Sequence, residues 1–162
     1  MTTVLRDIDP MLRRVCQPWD GSPSEAGTLA RRLSTVAEKE RGIGLSAPQI
    51  GIDTRAFVMH GPQGWVACFN PRIVEMSLAT VFEEEGCLSF PGLFIKVKRR
   101  ASIGAAWFDL LGKPCEATLA GVPARIFQHE LDHLDGKLFI DGRSVAVAMA
   151  MKRSAKRMRR AA

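Results

Sequence analysis

Seven short segments rich in β-branched and aromatic residues follow one another between residues 55 and 119. They are Arg55–Met59, Trp65–Asn70, Ile73–Met76, Thr80–Phe82, Phe94–Lys98, Ser102–Leu110 and Cys115–Leu119. Gly61-Pro62, Asn70-Pro71, Pro91-Gly92 and Leu111-Gly112-Lys113 fall between several of them and read as turns. Helical patterns bracket this run. Before it, Leu29, Leu33, Val36 and Ala37 recur at helical spacing within Glu25–Arg41, with a turn and cap at Gly21-Ser22-Pro23-Ser24 and a stop at Gly42. After Gly121 the pattern turns helical again, with Pro123 suited to the first turn and Gly136 just past the end. Asp9-Pro10, followed by Met11, Leu12 and Val15, predicts a short helix nearer the N-terminus. The order helix, strands, helix is that of an α+β fold with largely antiparallel sheet.

At 162 residues the chain fits one domain with a hydrophobic core of ordinary size, and no repeat or linker divides it. No apolar run approaches a membrane span, the longest being Val145 to Met151. Arg6, Asp7 and Asp9 stand where a secretory signal needs an apolar stretch, so the cytoplasm is the expected location. The formal charge of +6 is confined to the end of the chain. Residues 151–162 hold Lys152, Arg153, Lys156, Arg157, Arg159 and Arg160 and no acid, which leaves the remainder balanced at 17 bases and 17 acids. Cys16, Cys68, Cys87 and Cys115 contain no C-x-x-C pair, which excludes a zinc ribbon or a secreted disulfide framework.

The last helical pattern carries Gln128-His129-Glu130-Leu131-Asp132-His133. Positions four apart share a helix face, so His129 and His133 can hold one metal ion together. Glu130 projects about 100° further round, near enough to a water beside the ion to take its proton. A catalytic site of this kind usually takes a third protein ligand. Asp135 lies about 200° round the helix from His133 and faces away. That leaves an acid such as Asp141, or the thiolate of Cys87 in Glu85-Gly86-Cys87-Leu88-Ser89, and the spacing does not choose between them. A third segment, Gly42-Ile43-Gly44-Leu45-Ser46-Ala47-Pro48-Gln49, reads by itself as a helix stop followed by a turn. Its glycines permit close backbone approach to a ligand, and Gln49 offers an amide donor for a developing oxyanion.

Together Gly42–Gln49, Glu85–Ser89 and Gln128–His133 resemble, in order and spacing, the three motifs of the peptide deformylase family. These are G-x-G-L-(A/S)-A-P-Q, E-G-C-L-S and Q-H-E-x-D-H. The likeness runs from Val4-Leu5 to Leu138-Phe139-Ile140-Asp141. It implies a single α+β domain over residues 1–143, with mostly antiparallel sheets around a central metal-binding helix, an N-terminal helix and a C-terminal helix. It also implies Cys87, His129 and His133 as ligands of one divalent metal ion per chain. Iron(II) is expected, with zinc, nickel or cobalt tolerated in its place. The reaction is hydrolysis of the N-formyl group from the formyl-methionine of nascent peptides. Glu130 carries the proton, and Gln49 with the Leu88 N–H stabilises the oxyanion. By the same resemblance Gly42, Ile43, Gly44, Gly86 and Ile126 bind the substrate, with Ile43 and Ile126 lining a slot for the methionine side chain, although by its spacing Ile126 reads equally as an ordinary core residue. Arg99 also matches a family position and reads as structural, paired to an acid that the sequence does not identify. Glu83 and Glu84 read as solvated or as setting the polarity near the mouth of the site, and His60 as a strand-end or surface residue.

Residues 144–162 are expected to form a basic C-terminal helix or tail, with Lys152, Lys156 and Arg159 one helical turn apart. Its uncompensated cations suit an electrostatic contact with RNA, and the resemblance points to ribosomal RNA. No membrane partner is expected, since the segment has no aromatic anchor.

Overall fold

The computed structural model describes residues 3–6 and 9–142, so the expected C-terminal helix and basic tail, residues 144–162, lie outside the described residues. Ser22 opens the first long helix, α1 (Pro23–Lys39), through a reciprocal cap. The Glu25 N–H donates to Ser22 Oγ, and the Glu25 carboxylate accepts from the Ser22 N–H at 2.8 Å. Ala26, Leu29, Leu33, Val36 and Ala37 form its buried stripe. The stop differs from the glycine stop expected at Gly42. Arg41 itself takes the left-handed conformation at φ 58°, and the Arg41 and Gly42 N–H groups donate to the Glu38 and Ala37 carbonyls at 3.0 and 2.8 Å. The short helix expected after Asp9-Pro10 is a single 3-10 turn, Pro10–Arg13.

Seven strands follow: β1 (Gly44–Ser46), β2 (Ala56–Gly61), β3 (Gly64–Met76), β4 (Thr80–Gly86), β5 (Phe94–Arg100), β6 (Ser102–Phe108) and β7 (Pro114–Ala120). β1, β2, β3, β6 and β7 lie side by side in that order, and β4 pairs with β5 in a separate two-stranded sheet. Every pairing is antiparallel. Two expectations are corrected here. The glycine segment is not simply a turn: Gly44–Ser46 is the edge strand of the larger sheet, and Ala47–Ile50 forms a 3-10 turn behind it. Asn70-Pro71 is not a turn but lies inside β3, where the register shifts between Phe69 and Arg72. Asn70 sits at φ 46°, and its side chain accepts from the Trp19 N–H and donates to the Trp19 carbonyl at 2.7 and 2.8 Å. Those side-chain bonds allow the bulge to persist where a chain break looked natural.

β2 explains how the layers stack. Its Ala56 and Val58 join the core under α1, whereas Phe57 and Met59 join a second core under α2 (Gly121–Leu134). The larger sheet is thus covered by one helix on each face. α2 also contacts β5 of the smaller sheet, so it packs between the two sheets. Gly136, at φ 68°, turns the chain away past the helix end, where Arg13 backbone leaves no room for a Cβ. A third cluster packs Leu12, Phe90, Leu93 and Phe139 with Val97 of β5. Among the described residues no helix is long and apolar enough to cross a membrane.

Candidate functional site

The loop after β4 and the face of α2 converge beside the edge strand β1. Cys87 Sγ lies 3.3 Å from His133 Nε2, and the two histidine rings are 5.0 Å apart. The sulfur and one ring nitrogen from each histidine lie within 4.8 Å of one another, and this trio could hold a metal ion. One sulfur and two imidazole nitrogens make a donor set suited to zinc or divalent iron. Asp141, the acid left open by the sequence, is committed elsewhere, paired with Arg13 at 2.7 Å, and Asp135, expected to face away, pairs with Arg55 at 2.8 Å.

His129 is oriented from behind. Its Nδ1–H donates to Glu85 Oε2 at 3.0 Å, which turns Nε2 toward the sulfur. The other Glu85 oxygen accepts from Arg99 Nε at 2.8 Å and Arg125 Nη1 at 2.7 Å. Arg99 also donates to Asp132 at 2.5 Å. The acid partners of Arg99 are therefore Glu85 and Asp132, one from each motif flanking the site. Burial works to raise the Glu85 carboxyl, but the bonds from His129 and Arg99 outweigh it and hold it well below the carboxylate range. Burial likewise pulls His129 down, yet the Cys87 sulfur and Glu85 prevail and push it up to about 10. His133 moves the other way, well below its ordinary value, because burial is joined by repulsion from His129 and Arg99.

Glu130 sits one position on from His129 and is 4% exposed. Its Oε2 has no hydrogen-bond partner among the described residues, and burial pushes the carboxyl up to about 7, against the pull of His129 and Ser46. A carboxyl of that value exchanges protons near neutral pH. Gly44 is required beside it. A Cβ there would come within 2.6 Å of Glu130 Oε1 and 2.9 Å of Ile126 Cγ2. Gly42 similarly leaves room for Leu88, and Gly86 for the ring of Phe94.

Gln49 is buried and its amide is held at both ends. Its oxygen accepts from the Ser46 N–H and Ser46 Oγ, both at 2.9 Å. Its Nε2 therefore faces the site, donating to Ser89 Oγ at 3.2 Å and Cys87 Sγ at 3.5 Å. All the expected site residues except His133 line one cavity of about 640 Å³, and His133 lies buried behind it. Ile126 is buried at the cavity wall, whereas Ile43 is 57% exposed at its mouth. Glu83 is less free than expected, since it pairs with Arg125 at 3.4 Å. His60 is exposed at the end of β2, as expected, with its ring against Trp65. Sequence reasoning missed the roles of Arg125, Ser46 and Ser89, which hold the motif residues Glu85 and Gln49 in place. An arginine on the otherwise apolar helix start was the one visible signal for Arg125.

The polypeptide deformylase family model matches residues 1–147. A peptide deformylase of Thermotoga neapolitana is 43% identical over 136 residues, covering 82% of this chain and 81% of that protein. A peptide deformylase crystal structure from Legionella pneumophila superposes with a TM-score of 0.92 at 33% identity, covering 99% of this chain and 96% of that one. The Thermotoga maritima peptide deformylase structure gives 0.85 at 39% identity, covering 89% and 98%.

Proposed function

The chain belongs to the polypeptide deformylase family, whose enzymes remove the N-formyl group from nascent peptides, and from that premise we propose that it does so with one divalent metal ion held by Cys87, His129 and His133. The observation that carries this reading is the approach of the three donor atoms to within 4.8 Å beside an unpartnered, buried Glu130 oxygen. Iron(II) is the expected ion, and zinc, nickel or cobalt suits the same donors. When bound, the ion supplies Lewis acidity, which polarises a carbonyl oxygen and makes water a stronger acid.

The chain's own residues do the rest. Glu130 accepts a proton from water as the water oxygen bonds to the formyl carbon. The oxyanion that develops is met by the Gln49 Nε2–H, aimed by Ser46, and by the backbone N–H of Leu88. The formyl C–N bond then breaks, and Glu130 hands its proton to the departing nitrogen, giving formate and a free amino terminus. The methionine side chain occupies the apolar space between Ile126 and Ile43, with Gly42, Gly44 and Gly86 letting the peptide lie close. Among the described residues β1 pairs only with β2, and β4 only with β5, so the cavity is bordered by two strand edges able to take an extended peptide by main-chain hydrogen bonds.

Residues 1–143 form the catalytic domain in this reading. Residues 144–162 contact ribosomal RNA in the cytoplasm, supported by six cations without an acid between residues 151 and 162. Co-sedimentation with ribosomes, with and without residues 144–162, tests that part, and equal recovery refutes it. The main test is formate release from a formyl-Met peptide by anaerobically purified protein of known metal content. An acetyl-Met peptide should be left intact. Glu130→Gln should retain the metal and lose about two to four powers of ten in turnover. Full turnover by that variant would remove Glu130 from the mechanism.

A further inference from the structure

The segment Val4–Arg6 reaches the backbone carbonyls of both residues assigned to the oxyanion. The Leu5 N–H donates to the Gln49 carbonyl at 2.7 Å, and Arg6 Nη1 donates to the Leu88 carbonyl. The segment is anchored on both sides. Val4 is 4% exposed in the core under α1, whereas Leu5 packs on the separate cluster containing Leu12 and Phe90. Held in two different clusters, these adjacent side chains fix the backbone that presents Arg6. The guanidinium lines the cavity and is steadied on its far side by Glu40, at the end of α1, at 3.7 Å. That exposed ion pair adds little stability by itself.

Leu88 shows what the bond to Arg6 controls. The Leu88 N–H belongs to the Cys87–Leu88 peptide, whose carbonyl accepts from the Phe90 N–H at 2.9 Å. The following peptide, Leu88–Ser89, is held through its carbonyl by Arg6. Both planes flanking the Leu88 Cα are therefore tied down, and the direction of the Leu88 N–H is set with them. An arginine suits this task because a charge-assisted bond to a carbonyl is stronger than a neutral one.

We infer that Arg6 is a positioning residue for the oxyanion site, acting through the Leu88 peptide; this rests on the deformylase reading above. It touches neither metal ligand nor reacting atom in that reading, so its effect is felt in turnover and not in substrate affinity.

The test uses the full-length, zinc-loaded chain and a formyl-Met peptide. Arg6→Ala should lower kcat roughly tenfold with KM changed less than about twofold, since a small misplacement of a reacting geometry costs on that order. Arg6→Lys keeps the charge but not the fork, and should recover only part of the loss. Millimolar guanidinium should raise kcat of Arg6→Ala and leave the wild type unchanged. Arg14→Ala, which breaks an exposed pair with Asp53, should match the wild type throughout. Amide NMR of the same zinc-loaded samples should show the Leu88 and Ser89 N–H resonances moving in Arg6→Ala while the Gln49 side-chain amide stays. Wild-type kcat in Arg6→Ala, or an unmoved Leu88 resonance, overturns the inference. A wild-type protein that folds, binds zinc and releases no formate instead overturns the reading of the site, and the Leu88 resonance still reports whether Arg6 positions that peptide.

Discussion

Glu85 and His129 share a hydrogen bond of 3.0 Å that joins the smaller sheet to α2 and decides which nitrogen of the imidazole faces Cys87. The carboxylate is 4% exposed and also receives Arg99 and Arg125. Three donors meeting one buried carboxylate make it both a ligand-orienting group and a structural joint.

Glu85→Gln tests both roles. Removing one member of a buried charge network should cost about 3 kcal/mol at pH 7, because two arginines each lose their buried partner and keep only the more exposed Asp132 and Glu83. Metal affinity should fall roughly 10–100-fold as His129 loses its fixed orientation. The sign with pH follows from a folded-state value held below the unfolded one. Glu85 stabilises the fold above its unfolded pKa, and that contribution fades as pH falls through the folded value. Urea titrations at pH 7 and pH 4 should therefore show a smaller gap between variant and wild type in acid. An equal gap at both pH values would contradict the role of the charge.

Metal uptake should release protons. His129, pushed up to about 10, is protonated at neutral pH in the metal-free chain, whereas His133 is already neutral. An imidazolium has no lone pair to offer, so binding must displace its proton. Between pH 6 and pH 8 zinc affinity should rise about tenfold per pH unit for each proton released. Zinc calorimetry in buffers of different ionisation enthalpy should report at least one proton. A buffer-independent heat would mean that His129 is neutral before the metal arrives.

Gly44→Ala places a methyl group against Glu130 Oε1 and Ile126 Cγ2. One of the two must move, and Glu130 is the group whose position matters to the proposed chemistry. Turnover should fall roughly tenfold to a hundredfold, with metal content unchanged. Gly27 is the contrast, since nothing lies within 4 Å of a Cβ built there in the middle of α1. Gly27→Ala should stabilise the protein by about 0.5–1 kcal/mol, since alanine is the better helix former. Melting temperature should rise about 2–4 °C at unchanged activity.

What the sequence made legible were features with a local period or a fixed spacing. Leu29, Leu33 and Val36 marked the buried face of α1, and the four-residue step from His129 to His133 marked one face of α2. Cys87 was ambiguous by spacing alone because its approach to those rings is made by tertiary structure, across 46 positions from His133. Asn70-Pro71 misled because its turn chemistry was real, yet Trp19 supplies hydrogen bonds that keep the strand running through a bulge. Gly44 looked like loop composition, whereas its lack of a side chain serves Glu130 on a distant helix. The partners of Arg99 and Arg125 could not be named for the same reason. Opposite charges separated by tens of residues leave no period to detect.

Glu130 makes the sharpest kinetic prediction. Burial holds its carboxyl up to about 7, with His129 and Ser46 pulling the other way. In its proposed role as proton acceptor it must be ionised in the free enzyme, so kcat/KM should rise with pH and level off once the carboxylate dominates. A cation held by Cys87, His129 and His133 adds positive charge nearby and lowers the value, which places the inflection at or below pH 7. The residual activity of Glu130→Gln should lack that inflection, because glutamine has nothing to titrate. Profiles from pH 5 to pH 9 on one formyl-Met peptide, with metal content checked at each end, measure both curves. A wild-type rate that falls between pH 5 and pH 7 would show that the protonated acid, and not the carboxylate, is the active form.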